Sequence, residues 1–370
     1  MSSPTSAADV MRAPCGHAPP TAGCVASVHR WALNETHTAG FRVQTANGLK
    51  VIARQLARTL LPCTAGTSAA ERPLVVDVGA AMHSTEMYFK RMNPDDSDAL
   101  YLLAGFGANA DVHAFDANAD KAQQIVDVAR RRSQTAPYVH RLTVHAEGVS
   151  DTVRRDRMAM CDEKNTWQLA TTGPGQHRRC PLGGAVNVTT LDAFAAGRPI
   201  LYAKVDVEGG ELQVVHGMRR LLRERAIELA SFEYGVNWHP LFHKMGALTA
   251  DERRALPQNA TLRNFEATLS AHGYDTYLIH ATPPRWMGPP QHRTTRSKHA
   301  EPIITLLPIY GPFWHPAFEI CADRGRFYGH LGHCWNDLLV MPHGSGCVKR
   351  RMLEWLHGTD DVYPECHGCF

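Results

Sequence analysis

Short apolar runs alternate with helical patterns along most of the chain, from about residue 73 onward. The first run, at 74–78, is apolar except for Asp77, as expected for a strand covered by helices on both faces. After the later apolar runs, apolar residues recur with helical spacing, as do Leu212, Val215 and Met218. The alternation predicts βαβ units and a doubly wound, mostly parallel α/β sheet. The predicted strands are 74–78, 112–116, 142–147, 199–206, 227–233, 274–279 and 337–341.

The first 72 residues lack this alternation. Residues 1–40 show no period, and we expect a disordered lead there, followed by an extension at 41–72. Within the extension, Asn47-Gly48 suits the type I′ turn of a hairpin at 41–53. The stripe of Ile52, Leu56 and Leu60 suits an amphipathic helix instead. The pattern leaves both alternatives open.

Two segments interrupt the main domain, which we expect to cover 73–345. Residues 152–186 are polar and predict an excursion on the surface, and residues 282–326 form a Pro-rich insertion. A Cys-rich tail follows at 346–370.

Net charge and apolar run length limit the partners of the chain. The formal net charge is only +3 and the basic residues are scattered, so we expect no nucleic-acid partner. No stretch approaches the roughly 18 apolar residues of a membrane span, so we expect no stable membrane insertion. The sequence leaves the oligomeric state open.

The cysteines bear on location. The chain lacks the apolar run of a signal peptide, which favours a cytoplasmic protein. The alternative is a secretory lumen, because there are 10 Cys and three glycosylation triplets, at Asn34, Asn187 and Asn259. We expect the late cysteines to be structural, as disulfides or, at 366–369, as half of a zinc site. They are Cys321, Cys334, Cys347, Cys366 and Cys369.

Two motifs end the first two predicted strands. An Asp-Val-Gly-Ala-Ala run at 77–81 is a small-residue turn that lets backbone approach an adenosine-bearing ligand, or a tight turn without one. Asp116 stands where a carboxylate can accept hydrogen bonds from ribose hydroxyls, or can cap the next helix. A nicotinamide site is disfavoured, because the Gly-rich segment at 105–110 precedes a strand instead of following one.

A third motif, Lys-Val-Asp-Val-Glu-Gly-Gly-Glu at 204–211, concentrates charge at the mouth of the fourth strand. Its Asp206 and Glu208 should open into the crevice at the carboxyl end of the sheet. Lys204 would lie on the same side of an extended strand, so an ion pair with no catalytic role is the competing interpretation. Glu233 and the following Trp238-His239 are further candidates for the acceptor site, and the alternative for Trp238-His239 is a packed Trp with a satisfied His.

Together with His-Ala-Phe-Asp at 113–116 and Thr-Leu-Asp at 190–192, these motifs resemble those of the FkbM family of class I methyltransferases. The resemblance covers about residues 73–280, with an echo at 336–340. It implies a seven-stranded, Rossmann-like sheet whose last strand is antiparallel. It also implies S-adenosylmethionine as the methyl donor, and usually O-methylation of a sugar, polyketide or related metabolite.

The resemblance also assigns roles to individual residues. Asp206 and Glu208 would be catalytic and face the reacting methyl group. The cofactor would be bound by Asp77, Gly79, Ala81, Asp116, Glu147 and Val149. In this set, Asp116 would hold the ribose, while Glu147 and Val149 would lie near the adenine. No metal ligand is assigned, although Asp206 and Glu208 are carboxylates of the kind that bind Mg²⁺.

We therefore expect an S-adenosylmethionine-dependent O-methyltransferase with a small-molecule or carbohydrate acceptor. The alternative is a catalytically inactive binding protein that has kept the fold. That alternative arises because Ala81 and His83 stand where the family commonly has Asn and Gly.

Overall fold

The computed structural model describes residues 22–29, 48–64, 72–80, 97–160, 167–169, 182–207, 209–234, 261–282, 303–318, 336–344 and 346–356. Its strands are β1 Leu74–Val78, β2 Asp111–Phe115, β3 Leu142–His145, β4 Glu147–Val149, β5 Arg154–Met160, β6 Trp167–Leu169, β7 Leu182–Thr189, β8 Ile200–Val205, β9 Ala230–Tyr234, β10 Tyr274–Thr282, β11 Ile303–Pro308 and β12 Asn336–Pro342. Its helices are α1 at 22–29, α2 Gly48–Leu60, α3 Asp98–Phe106, α4 Ala119–Arg131, α5 Leu191–Ala195, α6 Glu211–His216, α7 Arg219–Arg223, α8 Leu262–Ala271 and α9 Cys347–Leu356.

The large sheet has the strand order β11-β10-β12-β9-β8-β1-β2-β3. Neighbours from β9 to β3 pair in parallel, whereas β12 runs antiparallel to both β9 and β10. All five residues of β1 are buried, as expected for a central strand covered on both faces. The doubly wound α/β class is therefore confirmed, including an antiparallel last strand.

The sheet has eight strands in the described part of the chain, so the prediction of seven strands is wrong. The additional strand is β11, which pairs antiparallel with β10 at one edge. It lies in the Pro-rich insertion 282–326, where Pro302 and Pro308 bound the apolar run. Proline is compatible with edge strands and strand ends, so the prolines that indicated a loop instead border a strand.

The polar segment at 152–186 is not only a surface excursion. Where the structure describes it, β5, β6 and β7 join β4 in a second sheet of order β4-β7-β5-β6. Along β7, Val186 and Val188 are buried whereas Asn187 is exposed. This alternation identifies a strand with one solvated face, which the polar composition of the segment concealed.

The N-terminal region contributes two helices to the core. Residues 48–60 form the helix α2 and not the second strand of a hairpin, and Leu56 and Leu60 of the apolar stripe are buried. Helix α1 lies within the expected disordered lead, yet its Cys24 and Val28 are fully buried. Burial of this small apolar face stabilises a helix too short to show a clear period in the sequence. Across the described residues, no helix has the length and apolar character needed to cross a membrane.

A disulfide joins the N-terminal extension to the C-terminal helix. Cys63, just beyond α2, is bonded to Cys347 at the start of α9. Arg351 strengthens the junction, because its Nε donates to the Thr59 carbonyl oxygen at 2.9 Å. Cys347 is thus structural, as expected, and Cys24 is also disulfide-bonded. The other late cysteines lie outside the described residues: Cys321, Cys334, Cys366 and Cys369.

We expect the double variant Cys63→Ser/Cys347→Ser to lose about 2–5 kcal/mol of unfolding free energy. The bond closes a long loop, with 284 residues of sequence separation, and therefore restricts the unfolded chain strongly. Chemical denaturation of the purified full chain measures the loss. Cys63→Ser alone should match the double variant, since either change removes the same bond. A double variant as stable as the wild type would contradict the expected role of the disulfide.

Candidate active site

A buried lysine joins three carboxylates at the carboxyl ends of β1 and β8. Asp77 and Lys204 are register partners on these neighbouring strands. Lys204 Nζ lies 3.6 Å from Asp77 Oδ1, 3.1 Å from Asp98 Oδ2 and 3.1 Å from Asp206 Oδ2. We call this set the lysine network. It confirms the ion pair between Lys204 and Asp206 that the strand alternation suggested.

Burial governs the electrostatics of the lysine network. It raises the pKa of Asp77 to about 7, although Lys204 opposes this shift. Neither carboxylate oxygen of Asp77 accepts a hydrogen bond from the described residues. Burial also acts to lower the pKa of Lys204, but Asp206, Asp77 and Asp98 outweigh it and hold that pKa well above its usual range. Lys204 is therefore a permanent buried cation.

Gly79 forms the tight turn that follows β1. Its φ of +82° is in the left-handed region that favours glycine. The backbone N–H groups of Gly79 and Ala80 both donate to the Phe115 carbonyl oxygen at 2.9 Å. A Cβ added at Gly79 would lie 1.7 Å from the Asp206 carbonyl oxygen. Glycine is thus required because the β1 turn packs directly on the backbone at the end of β8. Ala81 and His83 lie outside the described residues.

Asp116 follows β2 and is almost fully buried. Its Oδ1 accepts a hydrogen bond from the Asn118 backbone N–H at 2.8 Å, which fixes the carboxylate against the turn. Burial raises the pKa of Asp116. The cap of α4 is Asn118, because its side chain accepts from the N–H groups of Asp120 and Lys121. Asp116 is therefore not the cap of the following helix.

Glu147 and Val149 lie in β4, and not at the end of a long third strand. The prediction of a strand at 142–147 is too long, because β3 ends at His145 and the chain then enters the second sheet. Glu147 is half-buried and Val149 is buried. The ring of His145 stacks on that of Phe115, with centroids 4.3 Å apart. The proximity of Glu147 and Val149 to an adenine ring stays a prediction.

Asp206 and Glu211 differ sharply in exposure. The Asp206 side chain is 31% exposed, whereas Glu211 at the start of α6 is completely buried. Glu211 Oε1 accepts from the backbone N–H groups of Val207 and Gly209 at 3.0 and 3.3 Å. Burial raises the pKa of Glu211 to about 8. Glu208, the second predicted catalytic residue, lies outside the described residues.

Asp206, Glu211 and Glu233 form a carboxylate cluster. One potential ligand oxygen from each residue lies within 4.8 Å of the other two. Glu233 belongs to β9, the neighbour of β8, so the cluster spans two adjacent strand ends. Of the groups in the described residues, this one could hold a metal ion. Trp238 and His239, which the sequence suggested beside Glu233, lie outside those residues.

The sequence patterns do not predict two of these carboxylates as part of the site. Glu211 belongs to a charged motif without a role of its own, and no motif contains Asp98. The available signal for Asp98 is the polar segment before the apolar helix α3, where an acidic first turn is favourable. The local sequence contains no sign that Asp98 contacts a lysine on β8.

The Thr-Leu-Asp motif at 190–192 does not join the site. The Thr190 hydroxyl caps α5 by accepting from the Ala193 N–H at 3.0 Å. The Asp192 carboxylate accepts from the N–H groups of Arg220 and Leu221 at 2.8 and 2.9 Å, at the start of α7. These bonds satisfy helix N-termini. The motif is therefore structural and ties α5 to α7.

Comparison with known protein families gives a match over part of the chain. Residues 110–275 match the family model described as the methyltransferase FkbM domain. No curated protein matches the chain significantly.

Several solved structures are distantly similar. A methyltransferase FkbM from Methylobacillus flagellatus is 15% identical over 71% of this chain and 56% of its own, with a TM-score of 0.34. This chain thus spans little more than half the length of that protein. A putative O-methyltransferase from Klebsiella pneumoniae is 12% identical over 88% of this chain and 92% of its own, with a TM-score of 0.35. A cofactor-bound structure of Rv0187 from MTB is 10% identical over 87% and 90%, with a TM-score of 0.34. Similarity at this level does not bear on function.

Proposed function

We propose that the chain transfers a methyl group from S-adenosylmethionine to a hydroxyl oxygen, in keeping with the match of residues 110–275 to the methyltransferase FkbM domain model. The proposed acceptor is a small molecule or a carbohydrate, such as a sugar, a glycan or a secondary metabolite. The observation that carries the proposal is the buried Asp116 carboxylate at the carboxyl end of β2, with one oxygen held by the Asn118 N–H. In open α/β sheets, ligands bind at this edge.

The chemistry of the strand ends fits such a cofactor. The Asp116 carboxylate would accept hydrogen bonds from the ribose hydroxyls, and its fixed orientation lowers the entropy lost on binding. The turn with Asp77, Gly79 and Ala81 would lie along the methionine part, and Glu147 and Val149 would lie near the adenine. When bound, S-adenosylmethionine supplies an electrophilic methyl group on a sulfonium.

Asp206 is the carboxylate that we assign to the acceptor. Its side chain is partly exposed, so an acceptor molecule can reach it. Lys204 Nζ lies 3.1 Å from Asp206 Oδ2 and orients this carboxylate, whose oxygens can accept a hydrogen bond from an acceptor hydroxyl. Glu208, two residues further on, is proposed to act beside it. Placement of the acceptor oxygen by such groups supplies most of the rate in a displacement reaction.

Calorimetry with S-adenosylhomocysteine tests the cofactor assignment without knowledge of the acceptor. We expect the wild-type chain to bind and Asp116→Asn to bind at least about tenfold more weakly, a loss of about 1.4 kcal/mol. Asn keeps the shape of the side chain but not the charge that strengthens hydrogen bonds to the ribose hydroxyls. Asp127→Asn is the matched control, because the Asp127 side chain on α4 is 45% exposed and the change should leave affinity unchanged.

Two results would overturn parts of the proposal. A folded wild-type chain that does not bind S-adenosylhomocysteine would reject the cofactor. Equal affinity in Asp116→Asn and the wild type would reject the role of Asp116. The alternative of an inactive binding protein, suggested by Ala81 and His83, expects cofactor binding without methyl transfer to any of a panel of hydroxylated acceptors.

We also propose that the protein works in an oxidising compartment, which was the alternative location suggested by the sequence. The Cys63–Cys347 disulfide supports this, because such bonds persist in the secretory lumen and are rare in the cytosol.

A further inference from the structure

The carboxylate cluster of Asp206, Glu211 and Glu233 has a use beyond cofactor binding. We propose that these three residues bind one divalent cation of the Mg²⁺ or Mn²⁺ kind at the carboxyl ends of β8 and β9. The proposed cation site is argued from the geometry and burial of these residues and does not depend on the proposed function. A role for the bound cation in holding the acceptor oxygen rests, in addition, on the proposed function.

The ligand set and its spacing suit a hard cation. All three groups offer carboxylate oxygens, which Mg²⁺ and Mn²⁺ prefer to nitrogen or sulfur. Mg²⁺ binds oxygen at about 2.0–2.1 Å, so its ligand atoms are separated by at most about 4.2 Å. The three oxygens already lie within 4.8 Å of one another. Binding therefore requires only a small contraction, and waters or an acceptor would complete the coordination.

Glu211 provides an independent indication of a ligand. Its side chain is completely buried, and its Oε2 has no hydrogen-bond partner among the described residues. A buried carboxylate oxygen without a partner is energetically unfavourable, because it has lost its hydrogen bonds to water. The other oxygen is held by the N–H groups of Val207 and Gly209, so the group cannot turn away from Asp206 and Glu233 without losing two bonds. A cation in the cluster would give the lone pairs of Glu211 Oε2 a partner.

Lys204 does not neutralise the cluster. Its ammonium is already shared by Asp77, Asp98 and Asp206. It is therefore not a dedicated counterion for Glu211, and a divalent cation would supply that charge to the cluster.

The position of the cluster links the cation to the acceptor. Asp206 is partly exposed, so the cluster opens to solvent on the side where the acceptor is proposed to bind. A cation held from behind by buried Glu211 would retain open coordination positions on that side. An acceptor hydroxyl oxygen bound there would be oriented and made more acidic.

Binding of Mn²⁺, followed by electron paramagnetic resonance, tests the site. Purified full chain is first treated with a chelator and then titrated with MnCl₂, and the signal of free Mn²⁺ reports the unbound fraction. We expect one saturable site per chain, with Mg²⁺ competing for it. Glu233→Gln and Glu211→Gln should each weaken binding at least about tenfold. Gln retains an acceptor for the Val207 and Gly209 N–H groups, so Glu211→Gln should keep the local fold.

Glu224→Gln is the matched control, since Glu224 is exposed beyond α7 and should leave Mn²⁺ affinity unchanged. The proposal is overturned by a wild-type chain without saturable Mn²⁺ binding, or by Glu233→Gln binding as tightly as the wild type. No methyl donor is present in this titration. A chain that binds Mn²⁺ but not S-adenosylhomocysteine would keep the cation site and reject the proposed cofactor, and the reverse result would reject only the cation site.

Discussion

Gly79→Ala is expected to destabilise the protein by at least about 4 kcal/mol, a loss typical of only the most damaging substitutions. The new Cβ would lie 1.7 Å from the Asp206 carbonyl oxygen, and backbone cannot move aside as a flexible side chain can. The same Asp206 donates its N–H to the Val78 carbonyl oxygen at 2.9 Å, so a displaced backbone would also strain the pairing of β1 and β8. Chemical denaturation and calorimetry with S-adenosylhomocysteine should both register the change.

Substitutions at two other glycines distinguish the effect of the steric overlap of a new Cβ from the effect of a positive φ. Gly197 has a similar φ of +92° but open space around an added Cβ, so Gly197→Ala should cost only about 1–2 kcal/mol. Gly184 has open space and no positive φ, and Gly184→Ala should be nearly neutral. If Gly79→Ala were no worse than Gly197→Ala, the contact with Asp206 would not be what makes glycine necessary.

The sequence predicts the large sheet well because each of its central strands is a recognisable apolar run. Five consecutive buried positions in β1 require an apolar run that no exposed loop would have. The same reasoning fails for β7 and β11. In β7 only alternate residues are buried, and in β11 the bordering prolines suggest a loop. Pairing with a partner far along the chain, and not local composition, stabilises these strands.

The sequence predicts parts of the candidate site only where the interacting residues belong to one short motif. The turn at Gly79, the carboxylate at Asp116 and the pair of Lys204 and Asp206 all follow from residues a few positions apart. The contact of Lys204 with Asp98 joins β8 to a helix about a hundred residues earlier, and no local pattern encodes such a contact. Likewise, Glu233 joins the carboxylate cluster through the pairing of β8 and β9.

The lysine network reconciles the structural and the catalytic interpretation of the ion pair between Lys204 and Asp206. The strand alternation allowed Lys204 to pair with Asp206 and thereby to make that residue structural. In the structure Lys204 serves Asp77 and Asp98 as well, and of its three partners Asp206 is the most exposed. One lysine can therefore stabilise the buried carboxylates while Asp206 remains accessible to a ligand, so the two interpretations are compatible.

Lys204→Met is expected to cost about 3–5 kcal/mol of unfolding free energy at about pH 8. Met has a similar length, but its loss of charge leaves Asp77 and Asp98 without the cation that compensates their burial. Denaturant unfolding measures the cost. Lys121→Met on α4 is the control and should change the unfolding free energy by less than about 1 kcal/mol, because Lys121 is only half-buried.

The difference in unfolding free energy between the wild type and Lys204→Met should become smaller as the pH falls from about 8 to about 5.5. Asp77 has a pKa of about 7 in the folded protein, against an ordinary value of 3.8, so the folded state binds more protons between these values. Acidification through this range therefore favours the folded state. The effect should be larger in the variant, because Lys204 lowers the pKa of Asp77 and its removal raises that pKa further. Adding Asp77→Asn to Lys204→Met should recover part of the stability at about pH 8. A deficit that is equal at both pH values and unrelieved by Asp77→Asn would show that Lys204 acts through packing and not through its charge.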